Sequence, residues 1–408
     1  MGTPTFPPGF DFTDPDLCGR RVPAGELAEL RRLAPVWWNA QPRGASGFDD
    51  EGYWVVTRHA DVLRVSRDPG LFSAAENSVL VRYSRPVTPA ELRMQRLILL
   101  NMDPPGHTKV RGILSRGFTP RAISGLREAL AERAGRIVRA AVAEGTGDFV
   151  TDVACELPLQ AIAELLGIPQ DDRGKLFEWT NQMVGSEDPE YGTDPLTAMA
   201  ELTGYSMGLA RERQECPRDD IISKLVSARI DGDSLTADEF GYFMILLAVA
   251  GNETTRNAIT HGMLAFLDHP DQWELYREQR PVTAADEIIR WATPVTVFQR
   301  TALQDTVLGG QQIRAGQRVA VFYRSANFDE EVFSHPERFD VLRNPNPHLG
   351  FGGTGIHYCL GASLAKLEIE LMFSAIADVM PGIRKAGDAE RLRSGWMNGV
   401  KRLPVSYR

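Results

Sequence analysis

Phe351-Gly352-Gly353-Thr354-Gly355-Ile356-His357-Tyr358-Cys359-Leu360-Gly361 is the stretch on which the reading of this chain turns. A cysteine in a glycine-rich loop, with a cation-capable side chain two residues before it and an apolar helical pattern directly after, suits a haem thiolate ligand. The glycines let the backbone pass close under a flat cofactor, and loop amides can donate to the sulfur and steady its charge. A thiolate that pushes electron density through iron favours O–O cleavage, so the chemistry implied is oxygen activation. A lone cysteine is more often a small buried hydrophobe; the loop around Cys359 sets it apart from Cys18, Cys155 and Cys216, which are scattered and show no C-x-x-C spacing.

Upstream of the loop, most of the chain carries a helical period. It runs over Ala122 to Ala143, Cys155 to Leu166, Asp171 to Val184, Leu196 to Gln214, Asp219 to Ile230, Thr236 to Leu267, Ala284 to Trp291 and, after the cysteine, Leu360 to Val379. The Thr236 segment is unusually long. Thr236 and Glu239 form a capping-box signature, His269-Pro270 supplies a stop, and some 30 residues make a rod of about 45 Å. Its middle is apolar nearly all round, which predicts a buried central helix. Tyr53 to Thr57 and Arg318 to Tyr323 read as strands, and a proline- and aspartate-rich entry arm leads to an amphipathic stretch from Glu26 to Leu33. The expected fold is mainly α with a small β portion near the N-terminus and around residues 300–325, in a single domain spanning 1–408, since nothing resembles a linker.

Composition narrows the function classes. A net charge of −9 argues against a nucleic-acid partner. The longest apolar run, Tyr242 to Ala250, is about half of what a membrane span requires. No basic segment followed by an apolar one opens the chain, and a cytoplasmic location is expected.

Three further constellations bear on chemistry. Within the long helix lies Ala250-Gly251-Asn252-Glu253-Thr254-Thr255, where Gly251 weakens the helix and threonine hydroxyls compete for carbonyls one turn back, so a local kink is expected. Glu253 and Thr254, a carboxylate beside a hydroxyl, are candidates for proton delivery. Glu287 and Arg290 share a helix face; such pairs are usually surface decoration, but flanking isoleucines point to burial and a role in holding the haem loop, with Arg338 as a third member. Haem carries two propionates, for which His107, Arg111, Arg300 and His357 are candidate donors.

Taken together, the segment Ala250 to Thr255, the E-x-x-R pair Glu287/Arg290 and the cysteine loop resemble, in order and spacing, the motifs of the cytochrome P450 superfamily of haem-thiolate monooxygenases. The common bacterial loop reads F-G-x-G-x-H-x-C; here Phe351 to Cys359 is one residue longer, with the offset of His357 kept and that of Phe351 changed. The longer loop is similar to that of actinobacterial members that oxidise the terminal methyl of a steroid side chain. Further stretches agree, among them Pro7 to Asp16, Arg290 to Thr296, Phe322 to Asp329 and Arg393 to Gly399, whereas Ser84 to Pro89 fits less closely.

The resemblance implies haem b between the central helix and the cysteine-loop helix, with Cys359 as axial ligand, Phe351 and Gly251 beside the cofactor, and Glu253 and Thr254 as catalytic groups. It implies an apolar channel lined by Leu80, Tyr83, Ile98, Leu99, Met183, Val249, Val295, Phe298 and Trp396. It also implies dioxygen as co-substrate and a ferredoxin with its reductase as electron donor, docking on a basic patch for which Lys109, Arg116 and Lys366 are candidates. The implied substrate is cholesterol or cholest-4-en-3-one, oxidised at C26 (C27). Hydroxylation of a fatty acid, terpene or macrolide, and a haem sensor without turnover, are the alternatives.

Overall fold

The computed structural model describes residues 4–191, 194–230 and 233–408, and it is mainly α with a small β portion. At its centre is the helix Ala237–Asp268, whose N-terminus is closed by the capping box: Thr236 Oγ1 accepts from the Glu239 amide at 3.2 Å, and the Glu239 carboxylate accepts from the Thr236 amide at 2.8 Å. Burial runs along most of its length, which matches the all-round apolar pattern. The helices Glu156–Leu166, Arg173–Val184, Pro195–Glu215, Ala284–Ala292 and Ala362–Val379 pack against it.

Periodicity placed these helices but misjudged several ends. The segment expected from Ala122 to Ala143 is two helices, Pro120–Gly125 and Arg127–Glu144, parted at Leu126. The one expected from Asp219 stops at Ser227 and gives way to a short strand, Arg229–Ile230. His269-Pro270 does end the central helix, but Pro270 also opens the helix Pro270–Gln279, since proline's fixed φ and missing N–H suit a first turn.

The main sheet has five strands in the order Val36–Ala40, Gly52–Val56, Arg318–Phe322, Val297–Ala302, Phe72–Ser73. Its two sequence-predicted strands pair directly and in parallel, Val319 opposite Trp54 and Val321 opposite Val56. The helix His59–Arg67 covers one face of this sheet through Val62 and Val65. Among the described residues, no helix is long and apolar enough to cross a membrane.

Candidate active site

The cysteine loop is closed by its own backbone. The Cys359 amide donates to the Phe351 carbonyl at 3.1 Å, the Gly352 amide to Leu349 at 2.9 Å, and Gly352 takes a φ of +86°, which favours glycine. The extra residue has a visible seat: a Cβ on Gly355 would lie 1.9 Å from the Ser66 carbonyl oxygen and one on Gly353 2.4 Å from Ser66 Cβ, so the lengthened loop lies directly on the helix His59–Arg67. Arg67 Nε reinforces the contact by donating to Thr354 Oγ1 at 2.7 Å. Phe351, whose offset the insertion changes, still lines the cavity that Cys359 faces, with Lys366 5.7 Å from its ring centre. Burial pushes the Cys359 thiol up, opposed by the Gly361 amide and by the charge of Arg111.

Above the loop lies a cavity of about 680 Å³, bounded on the other side by the central helix through Val249, Ala250, Gly251, Thr254 and Thr255. The nine residues assigned to the channel all line it, from Leu80 and Tyr83 through Ile98, Leu99, Met183, Val249, Val295 and Phe298 to Trp396. Phe298 and Trp396 stack with ring centres 6.2 Å apart. Met94, Leu196, Met199, Tyr242 and Leu246 also line the cavity; their chain segments meet only in the fold, and no local pattern marks them.

The four candidate donors converge at one rim of this cavity. The His107 and His357 rings are 4.4 Å apart, and both nitrogens of His107 and Nε2 of His357 are buried with no hydrogen-bond partner among the described residues. Burial pushes His107 down to about 4, with Arg111 adding to it, and His357 down to about 2, with Arg300, His107 and Arg111 adding. Arg300 is buried and spends one bond on the Gln299 carbonyl at 2.7 Å, while Arg111 donates to the Tyr358 carbonyl at 2.6 Å, tying the helix Gly106–Leu114 to the cysteine loop. Buried nitrogens without partners are costly. Two imidazoles with such nitrogens and two guanidiniums on one rim fit a group that presents two carboxylates, and haem is such a group.

The central helix separates residues that the sequence places side by side. Thr254 lines the cavity, and its hydroxyl donates to the Ala250 carbonyl at 2.7 Å. Glu253 is fully buried away from the cavity, where its Oε2 accepts from Arg256 Nη2; burial pushes its carboxyl up, and Arg256 opposes this. Gly251 leaves the helix unbroken; a Cβ there would sit 2.7 Å from Ile162 Cδ1, so the glycine admits the helix Glu156–Leu166 at close range.

Glu287 and Arg290 are wholly buried and joined by two bonds of 2.7 and 2.8 Å. The expected third member is corrected: Arg343 Nε donates to Glu287 at 3.1 Å, whereas Arg338 has an exposed side chain and contributes only its carbonyl, which accepts from Arg290 at 3.2 Å and from Arg343 at 2.8 Å. Of the candidate docking cations, Lys109 is exposed, Lys366 is paired with Asp286 at 2.5 Å, and the Arg116 side chain lies outside the described part of the structure.

A long buried helix facing a cysteine loop across an apolar cavity, with two imidazoles and two guanidiniums at one edge, is the architecture of a haem-thiolate protein. The family model for cytochrome P450 matches residues 198–377. The steroid C26-monooxygenase of Rhodococcus jostii (strain RHA1) is 61% identical over 408 residues, covering 100% of this chain and 87% of that protein. The steroid C26-monooxygenase of Mycobacterium tuberculosis (strain ATCC 25618 / H37Rv) is 58% identical over 407 residues, covering 99% and 94%. Among solved structures, a Mycobacterium marinum cytochrome P450 in complex with pseudoionone superposes with a TM-score of 0.88 at 40% identity, covering 94% of each chain. The chain belongs to the cytochrome P450 family, and it is a monooxygenase.

Proposed function

We propose that this monooxygenase hydroxylates the terminal side-chain methyl (C26/C27) of a sterol such as cholesterol or cholest-4-en-3-one, with Cys359 as the axial haem ligand and a ferredoxin as electron donor. The observation that carries the reading is the full-length similarity, at 61% identity, to a steroid C26-monooxygenase. The apolar cavity suits a ligand that offers almost nothing but hydrocarbon surface.

Bound here, haem supplies the reductive activation of dioxygen and the transfer of one oxygen atom to a C–H bond. His107, Arg111, Arg300 and His357 would hold its propionates, which would satisfy the nitrogens that protein groups leave unpaired. The Gly361 amide would steady the charge on Cys359. Thr254 would hold a proton at the cavity wall, and Glu253 would replenish it from behind the helix. Phe298 and Trp396 would clamp the substrate and exclude water.

Titration of the holoenzyme with cholest-4-en-3-one, a fatty acid and a macrolide tests the reading through the low-spin to high-spin shift, followed by product analysis. A shift with the sterol and a C26 alcohol as first product are expected. A preference for the fatty acid or the macrolide would overturn it.

A further inference from the structure

The apolar cavity does not end at an apolar wall. Ser84, Arg85, Ser186, Glu187 and Pro195 line it and also line a second cavity of about 340 Å³, whose remaining walls are Asp188, Pro189 and Asp194. This vestibule lies at the protein surface, since Ser84, Arg85 and Asp194 are exposed. A largely apolar slot therefore opens into a chamber whose walls, among the described residues, are prolines and polar side chains.

Most of those polar groups are already engaged. Arg85 donates to Glu91 at 2.6 Å and to the Pro86 carbonyl at 3.3 Å. Asp188 accepts from the Arg393 amide at 2.9 Å and from Lys401 at 3.3 Å, and Asp194 accepts from the Leu196 amide at 3.1 Å. Glu187 is different. It is nine-tenths buried, its Oε2 accepts from the Gly395 amide at 2.8 Å, and its Oε1 has no hydrogen-bond partner among the described residues. Ser84 and Ser186 line the vestibule beside it. Burial pushes the Glu187 carboxyl up, the expected cost of an acceptor held with one oxygen unpaired.

We propose that this vestibule is the subsite for the oxygen at C3 of a sterol, with Glu187 Oε1 accepting the hydrogen bond of a 3-hydroxyl group. The proposal rests on the sterol reading above. A sterol carries its one polar atom at the end opposite its branched tail, so a tail whose last methyl reaches toward Cys359 sends ring A to the other end of the slot. There the oxygen meets Glu187, a nine-tenths-buried acceptor that lines both cavities. A site built to accept a hydrogen bond discriminates sharply against a ligand that lacks the donor, because the buried group is then left unpaired.

The test uses three sterols with one side chain, bearing a 3-hydroxyl, a 3-keto group or no oxygen at C3, with dissociation constants read from the spin shift of the holoenzyme. Wild type is expected to bind the 3-hydroxy sterol about tenfold more tightly than the 3-deoxy one. Glu187→Gln, which keeps an acceptor for Gly395 but offers an N–H to the vestibule, is expected to erase that advantage and turn the preference toward the ketone. Its affinity for the 3-deoxy sterol should be unchanged. Ser186→Ala, at the rim, is the second variant and should lower the affinity of both oxygenated sterols by a smaller factor. A hydroxy-to-deoxy ratio identical in wild type and Glu187→Gln overturns the subsite while leaving the sterol reading intact. Failure of all three sterols to shift the spin state overturns both.

Discussion

Glu253 Oε2 and Arg256 Nη2 form an ion pair buried behind the central helix, on the side away from the cavity that Thr254 lines. Arg256 is held in turn by Asn181 Oδ1 at 2.7 Å. Removing one partner of a buried pair leaves an uncompensated charge, so Arg256→Ala should lower stability by about 3–5 kcal/mol. Urea unfolding would measure this, and Arg256→Lys should recover part of it.

Thr254 lines the cavity from the central helix. Thr254→Ala should leave electron consumption largely intact while reducing product per NADH about tenfold or more. Coupling equal to wild type, measured with ferredoxin and reductase, would count against a role in proton delivery.

Cys359→Ala should abolish the red-shifted Soret band of the reduced carbonyl complex. Retention of the band would sink the ligand assignment.

Glu287 accepts from Arg290, Arg343, the Asp340 amide and Asn346. Glu287→Gln would leave two buried guanidiniums without a counter-charge, and a loss of about 3–5 kcal/mol is expected, with haem release at lower temperature than in wild type. Calorimetry and loss of the Soret absorbance would follow the two effects.

His261 is pushed down to about 3 by burial, with the charges of Arg391 and Arg324 adding to it, while its Nε2 donates to the Asn398 carbonyl at 2.9 Å. A histidine whose folded pKa lies below its unfolded value of about 6.5 stays neutral when folded and takes up a proton when unfolded. Stability should therefore be at its full level above pH 6.5 and fall as the pH drops from there toward 3. His261→Gln should flatten that part of the profile in denaturant titrations; an unchanged slope would exclude the histidine as its source.

The sequence was legible where structure is local. Thr236 and Glu239 are three residues apart and close the cap that their spacing predicts. Glu287 and Arg290 pair across one helical turn. What escaped reading was either ambiguous or distant. Pro270 serves as both a stop and a start, following the end of the central helix at Asp268 and opening the helix Pro270–Gln279. Arg343 reaches Glu287 from 56 residues away, which no periodicity records, while Arg338 stood nearer to a recognisable pattern. Glu253 and Thr254 are adjacent in sequence, but successive residues on a helix point about 100° apart, enough to put one in the cavity and the other behind it.

The seat of the lengthened loop on Ser66 makes two distant stretches of chain one mechanical joint. Gly355 has no room for even a methyl group against the Ser66 carbonyl, so the position of the cysteine loop is set in part by the helix His59–Arg67, which packs on the sheet. Changes at Arg67 or Val62 would reach Cys359 through that joint, and in the holoenzyme a redox potential that moves with them would be the signature of that lever.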